Sequence, residues 1–151
     1  MSSEPLAPES EASSSVKRRS IDDYKVGEII GHGSFSKVYA ALEKSTGLAF
    51  AIKAIKKDLI VKLNRRELVF RERNIMNQLR DHPFFVKLYC SFQNDRYLYF
   101  VMSFARRGEL LRYISSLHGF NCETTRFYAA EIISALEKMH SLNIIHRYFR
   151  F

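Results

Sequence analysis

The chain has 151 residues, 46% hydrophobic and 26% charged, and its 24 Lys and Arg against 16 Asp and Glu give a formal net charge of +8. That length suits one domain, or part of a larger one, with a real core, and no stretch approaches the apolar run needed to span a bilayer. The basic residues are scattered, clustering only briefly at Lys17-Arg18-Arg19, Lys56-Lys57 and Arg65-Arg66; without a nucleic-acid module beside them they argue against nucleic acid and suit phosphate-bearing partners.

The first 20 residues are rich in Ser, Glu, Ala and Pro and poor in large apolar side chains, so they are expected to be disordered. From Tyr24 the pattern is strand-like. Val26, Ile29 and Ile30 lead into a turn at Gly31-His32-Gly33, Val38-Tyr39-Ala40 resumes the extended run, and Ser45-Thr46-Gly47 turns it into Ala49 to Ile55. Three strands joined by glycine turns predict an antiparallel meander. A helix is predicted from Arg66 to Leu79 with Leu68, Ile75, Met76 and Leu79 on its buried face, closed before Pro83. Val86 to Phe92 and Tyr97 to Ser103 read as two more strands around Gln93-Asn94-Asp95. A short helix from Leu110 to Leu117 follows. A long one runs from Cys122 to Leu142, with Asn121 as N-cap and Ala129, Ile132, Ile133, Leu136 and Met139 as its buried stripe. The sum is an α+β arrangement. Cys90 and Cys122 lack metal-ligand spacing, and the N-terminus lacks the marks of a signal peptide, so a cytoplasmic chain with free thiols is expected.

Two features carry chemistry. Between strands lies Gly31-His32-Gly33-Ser34-Phe35-Ser36-Lys37-Val38, where glycines let backbone N–H groups approach phosphate oxygens. Taken alone it also fits a plain hairpin turn. Strand alternation places Lys53 on the apolar face of Ala51 and Ile55, and Glu72 falls on the apolar stripe of the first helix. Each charge needs a partner there, because burying it alone is costly. The simplest solution joins them, either as a structural ion pair or as a device for holding nucleotide phosphates.

In their order along the chain, the glycine loop, Ala51-Ile52-Lys53, Glu72 and His146-Arg147 resemble the eukaryotic protein kinase family over residues 24–147. The stretches Gly33-Ser34-Phe35-Ser36, His82-Pro83-Phe84-Phe85-Val86-Lys87-Leu88-Tyr89, Gly108-Glu109-Leu110-Leu111 and Arg126 to Ile132 are similar to the phosphoinositide-dependent branch of its AGC group. The resemblance implies a kinase N-lobe over about 21–103, five antiparallel strands plus a regulatory helix, and the first C-lobe helices over about 106–147. It implies ATP as ligand, with magnesium. Ile30 and Val38 would cover the adenine and Ala51 would roof it. Gly31, Gly33, Ser34, Phe35 and Ser36 would form the phosphate loop, in which Ser36 replaces the third glycine. Lys53, oriented by Glu72, would hold the α- and β-phosphates. Met102 would be the gatekeeper, the backbone of Ser103 and Ala105 would bond the adenine edge, and Glu109 would reach the ribose.

The same branch has a groove beside the first helix for hydrophobic-motif peptides of AGC kinases. Lys57, Ile60, Val61, Val69 and Leu98 match its apolar lining, and Arg18, Arg73, Ser91 and Gln93 fall where its phosphate is held. The stretch Arg65-Arg66-Glu67-Leu68 departs from the family pattern, Arg66 and Phe70 would reshape the pocket, and a solvated basic helix face is the alternative. The family's catalytic loop reads His-Arg-Asp-Leu-Lys-Pro-Glu-Asn, whereas this chain reads His146-Arg147-Tyr148-Phe149-Arg150-Phe151. Tyr148 replaces the catalytic aspartate, and a phenol with a pKa of about 10 is a poor base at neutral pH. The metal-binding residues are also absent, leaving no metal site. The expectation is a catalytically incompetent kinase-like chain that keeps the upper ATP site. Residues 148–151 read as an unrelated tail, from splicing, a frameshift or an incomplete gene model. A docking module, or a portion of an active serine/threonine kinase phosphorylating AGC kinases, are the other readings. The long helix would leave apolar surface in water, inviting association or chaperones and lowering stability.

Overall fold

The computed structural model describes residues 18–146; the segment up to residue 17, Arg147 and residues 148–151 lie outside the described residues. Strands β1 (Tyr24–Gly33), β2 (Ser36–Glu43), β3 (Ala49–Lys56), β4 (Leu88–Gln93) and β5 (Tyr97–Ser103) form one antiparallel sheet in the order β1-β2-β3-β5-β4. The helices are α1 (Lys57–Lys62), α2 (Arg66–Gln78), α3 (Leu110–Ser116) and α4 (Cys122–Ser141). The arrangement is α+β, as expected, with the meander and the second hairpin both present.

Period-two alternation gives the sheet two packed faces. Tyr24, Phe50, Ile52, Ala54, Tyr99 and Val101 build one cluster. Ala51, Ile55, Phe100 and Met102 build the other, joined by Ile60 of α1, Val69 of α2 and Leu88 of β4. The helices therefore cover the face that also carries Lys53.

Several local readings need correction. The glycines do not form the first turn: β1 runs through Gly33, and β2 resumes at Ser36, so Ser34 and Phe35 make the tip. Helix α1 is not predicted by the sequence pattern. Its single turn and a half carries the contiguous apolar run Leu59-Ile60-Val61, which has no helical period, and Lys56 at its N-cap makes no side-chain capping bond. On α2 the buried residue near the N-terminus is Val69, while Leu68 is 41% exposed; Leu79 is buried and Met76 packs against the second cluster, as the predicted stripe has them. On α4 Ile133 is exposed and Met139 is buried. Asn121 does cap α4, its side chain accepting from Thr124 N–H at 2.8 Å.

At the other end Ser20 caps a 3₁₀ turn over Ile21–Asp23. Arg19 reaches across to β2, pairing with Glu43 at 2.8 Å, and also donates to the Tyr24 hydroxyl at 2.9 Å.

Candidate functional site

Register places four of the expected nucleotide residues, Val38, Ala51, Lys53 and Met102, on one face. Val38 of β2 stands opposite Lys53, Ala51 opposite Met102, and Lys53 opposite Phe100. Residues directly opposite share a face, so Val38, Ala51, Lys53, Phe100 and Met102 line one surface of the sheet. Ala51 and Met102 are buried there and Val38 packs against them. Glu72 lies three residues after the buried Val69, one turn along the same side of α2. Lys53 Nζ donates to Glu72 Oε1. The side chains are 19% and 35% exposed, so the pair sits at the edge of water, with the ammonium oriented and flanked by apolar surface.

The β1–β2 hairpin lies alongside. A Cβ at Gly33 would come within 2.5 Å of Ser36 Oγ, and Ser36 is itself buried. A side chain at 33 would therefore force that hydroxyl to rotate. At Gly31 a Cβ would meet Val38 at an ordinary 3.5 Å, so that glycine is not demanded by packing within the chain. Phe35 turns inward against the second cluster, and its carbonyl accepts the Lys56 N–H at 3.1 Å. Ile30 is 43% exposed.

Beyond Met102 the backbone is tethered. Ser103 donates its N–H to the Lys87 carbonyl at 2.9 Å, while its Oγ accepts the Lys87 N–H at 3.0 Å. Any adenine contact from Ser103 must then use its carbonyl. The Ala105 carbonyl accepts from Gly108 N–H at 3.1 Å, and Gly108 has φ +72°. That left-handed turn favours glycine and sets the exposed Glu109 at the N-cap of α3.

A second concavity of about 490 Å³ lies between α1, α2 and strands β4 and β5. Lys57, Ile60, Val61 and Val69 line it from the helices, with Arg73 beside them. Ser91, Gln93 and Leu98 close it from the sheet. Arg66 and Phe70 also stand in its wall, and Phe70 is 64% exposed at the rim. Arg18 is exposed and is not brought to it. Sequence reasoning missed two lining residues, Phe92 and Phe100. For Phe100 the signal was available, since alternation along β5 puts Leu98, Phe100 and Met102 on one side. Tyr148 lies outside the described residues.

A protein-family model described as "Protein kinase domain" matches residues 24–149. The chain belongs to the protein kinase domain family. Among individual kinases it is 50% identical over 131 residues to the human "3-phosphoinositide-dependent protein kinase 1" and to the human "Putative 3-phosphoinositide-dependent protein kinase 2". Each alignment covers 87% of this chain but only 23% and 33% of those kinases. "Serine/threonine-protein kinase ksg1" of Schizosaccharomyces pombe is 43% identical over 141 residues, covering 93% of the chain and 24% of the relative. The chain thus spans a third or less of the length of these curated relatives. The fold, with its five-stranded sheet and α2 beside it, is that of a kinase N-lobe with the first helices of the C-lobe. Among the described residues no helix is long and apolar enough to cross a membrane.

Proposed function

We propose that this chain holds an adenine nucleotide against its sheet and does not transfer phosphate by itself. The observation that carries the reading is the Lys53–Glu72 ion pair on the Ala51–Met102 face, next to the β1–β2 hairpin. Ile30, Val38, Ala51 and Met102 supply an apolar slot for the base, and the carbonyl of Ser103 a polar edge. Lys53 supplies a fixed cation for the phosphates, which a carboxylate partner keeps oriented. Gly31, Gly33, Ser34, Phe35 and Ser36 form the adjoining loop, and Ala105 and Glu109 lie beyond the strand. Bound ATP would supply a transferable γ-phosphoryl group, with magnesium offsetting its charge. Tyr148 stands where the family resemblance puts a carboxylate base, and a neutral phenol does not take up a hydroxyl proton at pH 7.

Thermal unfolding of the 151-residue chain with ATP and magnesium tests this. A ligand at a hundred times its Kd stabilises by about 2.7 kcal/mol, so the wild type should show a clear upward shift. Lys53→Met should weaken nucleotide affinity at least tenfold. No shift at millimolar ATP would sink the reading, and so would phosphate transfer to a peptide acceptor.

The groove of about 490 Å³ favours a second reading, a docking site for hydrophobic-motif peptides of AGC kinases. It has an apolar floor, and Arg73 is available for a phosphate. A fluorescent phosphorylated hydrophobic-motif peptide should bind the wild type and lose at least tenfold affinity in Val69→Glu, while Lys53→Met leaves its binding unchanged. Equal binding by Val69→Glu would exclude the groove. Within a longer protein that supplies the remaining catalytic residues, the same surfaces would serve a cytoplasmic serine/threonine kinase acting on AGC kinases. An intact endogenous mass well above 17.7 kDa would move the activity to that protein.

A further inference from the structure

Away from both sites, the start of the described chain forms a clasp. Arg19 Nη1 donates to Glu43 Oε1 at 2.8 Å and to the Tyr24 hydroxyl at 2.9 Å. Glu43 is only 8% exposed, and its other carboxylate oxygen accepts the Thr46 hydroxyl at 2.6 Å. Tyr24 and Glu43 are also the first cross-strand pair of β1 and β2. The clasp thus fastens the end of the hairpin opposite its Ser34-Phe35 tip.

Ser20 sits one residue beyond Arg19. Its backbone is extended, at φ −132° and ψ 170°. Its Oγ accepts the Asp22 N–H at 3.1 Å, while its own N–H donates to Asp23 Oδ2 at 2.8 Å. This hydroxyl is held only by a single 3₁₀ turn, in a half-buried position. Lys17, Arg18 and Arg19 immediately precede it. Three cations ahead of a serine on extended backbone complement the acidic peptide grooves by which basophilic kinases choose substrates.

We propose that Ser20 is a phosphorylation site for a basophilic serine kinase, and that the phosphate opens the Arg19 clasp. In the transfer, Ser20 Oγ attacks the γ-phosphorus of ATP. The new O–P bond forms as the bond to the β–γ bridging oxygen breaks, ADP departs, and the hydroxyl proton passes to the carboxylate base of the modifying kinase. A group of charge about −2 then stands where a neutral hydroxyl capped the turn. Asp22 and Asp23 already place two carboxylates in that turn, so the phosphate draws on the neighbouring guanidinium. Arg19 cannot serve it and Glu43 equally well, and a buried Glu43 that loses its cation is destabilised. Arg18, exposed and two residues back along the chain, is the competing cation; if it alone neutralises the phosphate, the clasp stays shut.

The test incubates the 151-residue chain with ATP and a basophilic serine kinase, locates phosphate by tandem mass spectrometry, and follows amide hydrogen exchange. Phosphate is expected on Ser20 and absent from that position in Ser20→Ala. Exchange at the Tyr24–Val26 and Ala41–Glu43 amides should then rise at least fivefold. Arg19→Ala should show that rise without phosphate and little further change after phosphorylation. Absence of phosphate from Ser20 overturns the proposal. So does a phosphorylated Ser20 with unchanged exchange, which would mean that Arg18 carries the charge.

Discussion

Tyr99 carries its ring into the first core cluster, and its hydroxyl accepts from Asn94 Nδ2 at 3.2 Å. Burial pushes its phenol above the ordinary value, and burial does the same, more than any other influence, at Tyr24. A raised acid pKa means that the folded chain keeps a proton the unfolded chain releases. The resulting stability is fully present below about pH 10 and is lost as pH climbs through the raised folded value. Tyr99→Phe should therefore flatten the fall in stability above pH 10, measured by urea unfolding at pH 8 to 11. An unchanged slope would show that Tyr99 does not titrate in that window. At Lys53 and Glu72 the sequence was fully informative, because two charges on two apolar stripes have few ways of avoiding burial alone. At Phe92 it was not, because that ring packs on the opposite face of the sheet against Tyr24 and Tyr99, and no pattern of side chains places the residue in the groove wall.

Asn121 shows how a local rule survives tertiary context. Its side chain satisfies an otherwise unpaired N–H in the first turn of α4. Asn121→Ala should cost about 1 kcal/mol, read as a lower urea midpoint with the wild-type slope; an unchanged midpoint would mean that the bond is not maintained in solution. Where two rules competed, pattern reading slipped. At the β1–β2 hairpin, glycine marks the turn in the sequence, yet the chain turns at Ser34 and Phe35; Gly33 has no positive φ and lies instead within the strand, close to the Ser36 hydroxyl. On α2, Leu68 and Val69 are adjacent apolar residues, and only the position of the sheet decides that Val69 is the one inside. Helix α1 is too short for periodicity to register.

The sheet and α2 were legible because each combines a strong period with turn residues at its ends, and these agree with one another. The surface left outside the core was less so. Leu117, Phe127, Ile133 and Ile145 are 60–74% exposed, although the sequence pattern puts Ile133 on a buried stripe. Exposed apolar groups of this size favour association. Ile133→Glu should lower concentration-dependent self-association in sedimentation velocity without shifting the melting temperature by more than a degree or two. Undiminished association would assign the contact to another part of the surface.

The contact between Gly33 and Ser36 bears on how such a hairpin can change over generations. A methyl group at 33 would fall on the Ser36 hydroxyl but not on its Cβ, which stands 3.8 Å away, so the two positions are coupled through one rotatable oxygen. Gly33→Ala is admitted where that hydroxyl swings aside or is absent, as in Ser36→Gly or Ser36→Ala, whereas Ser36→Gly needs no prior change. A random library selected for folding should therefore be enriched for Gly33→Ala in chains that lack a hydroxyl at 36.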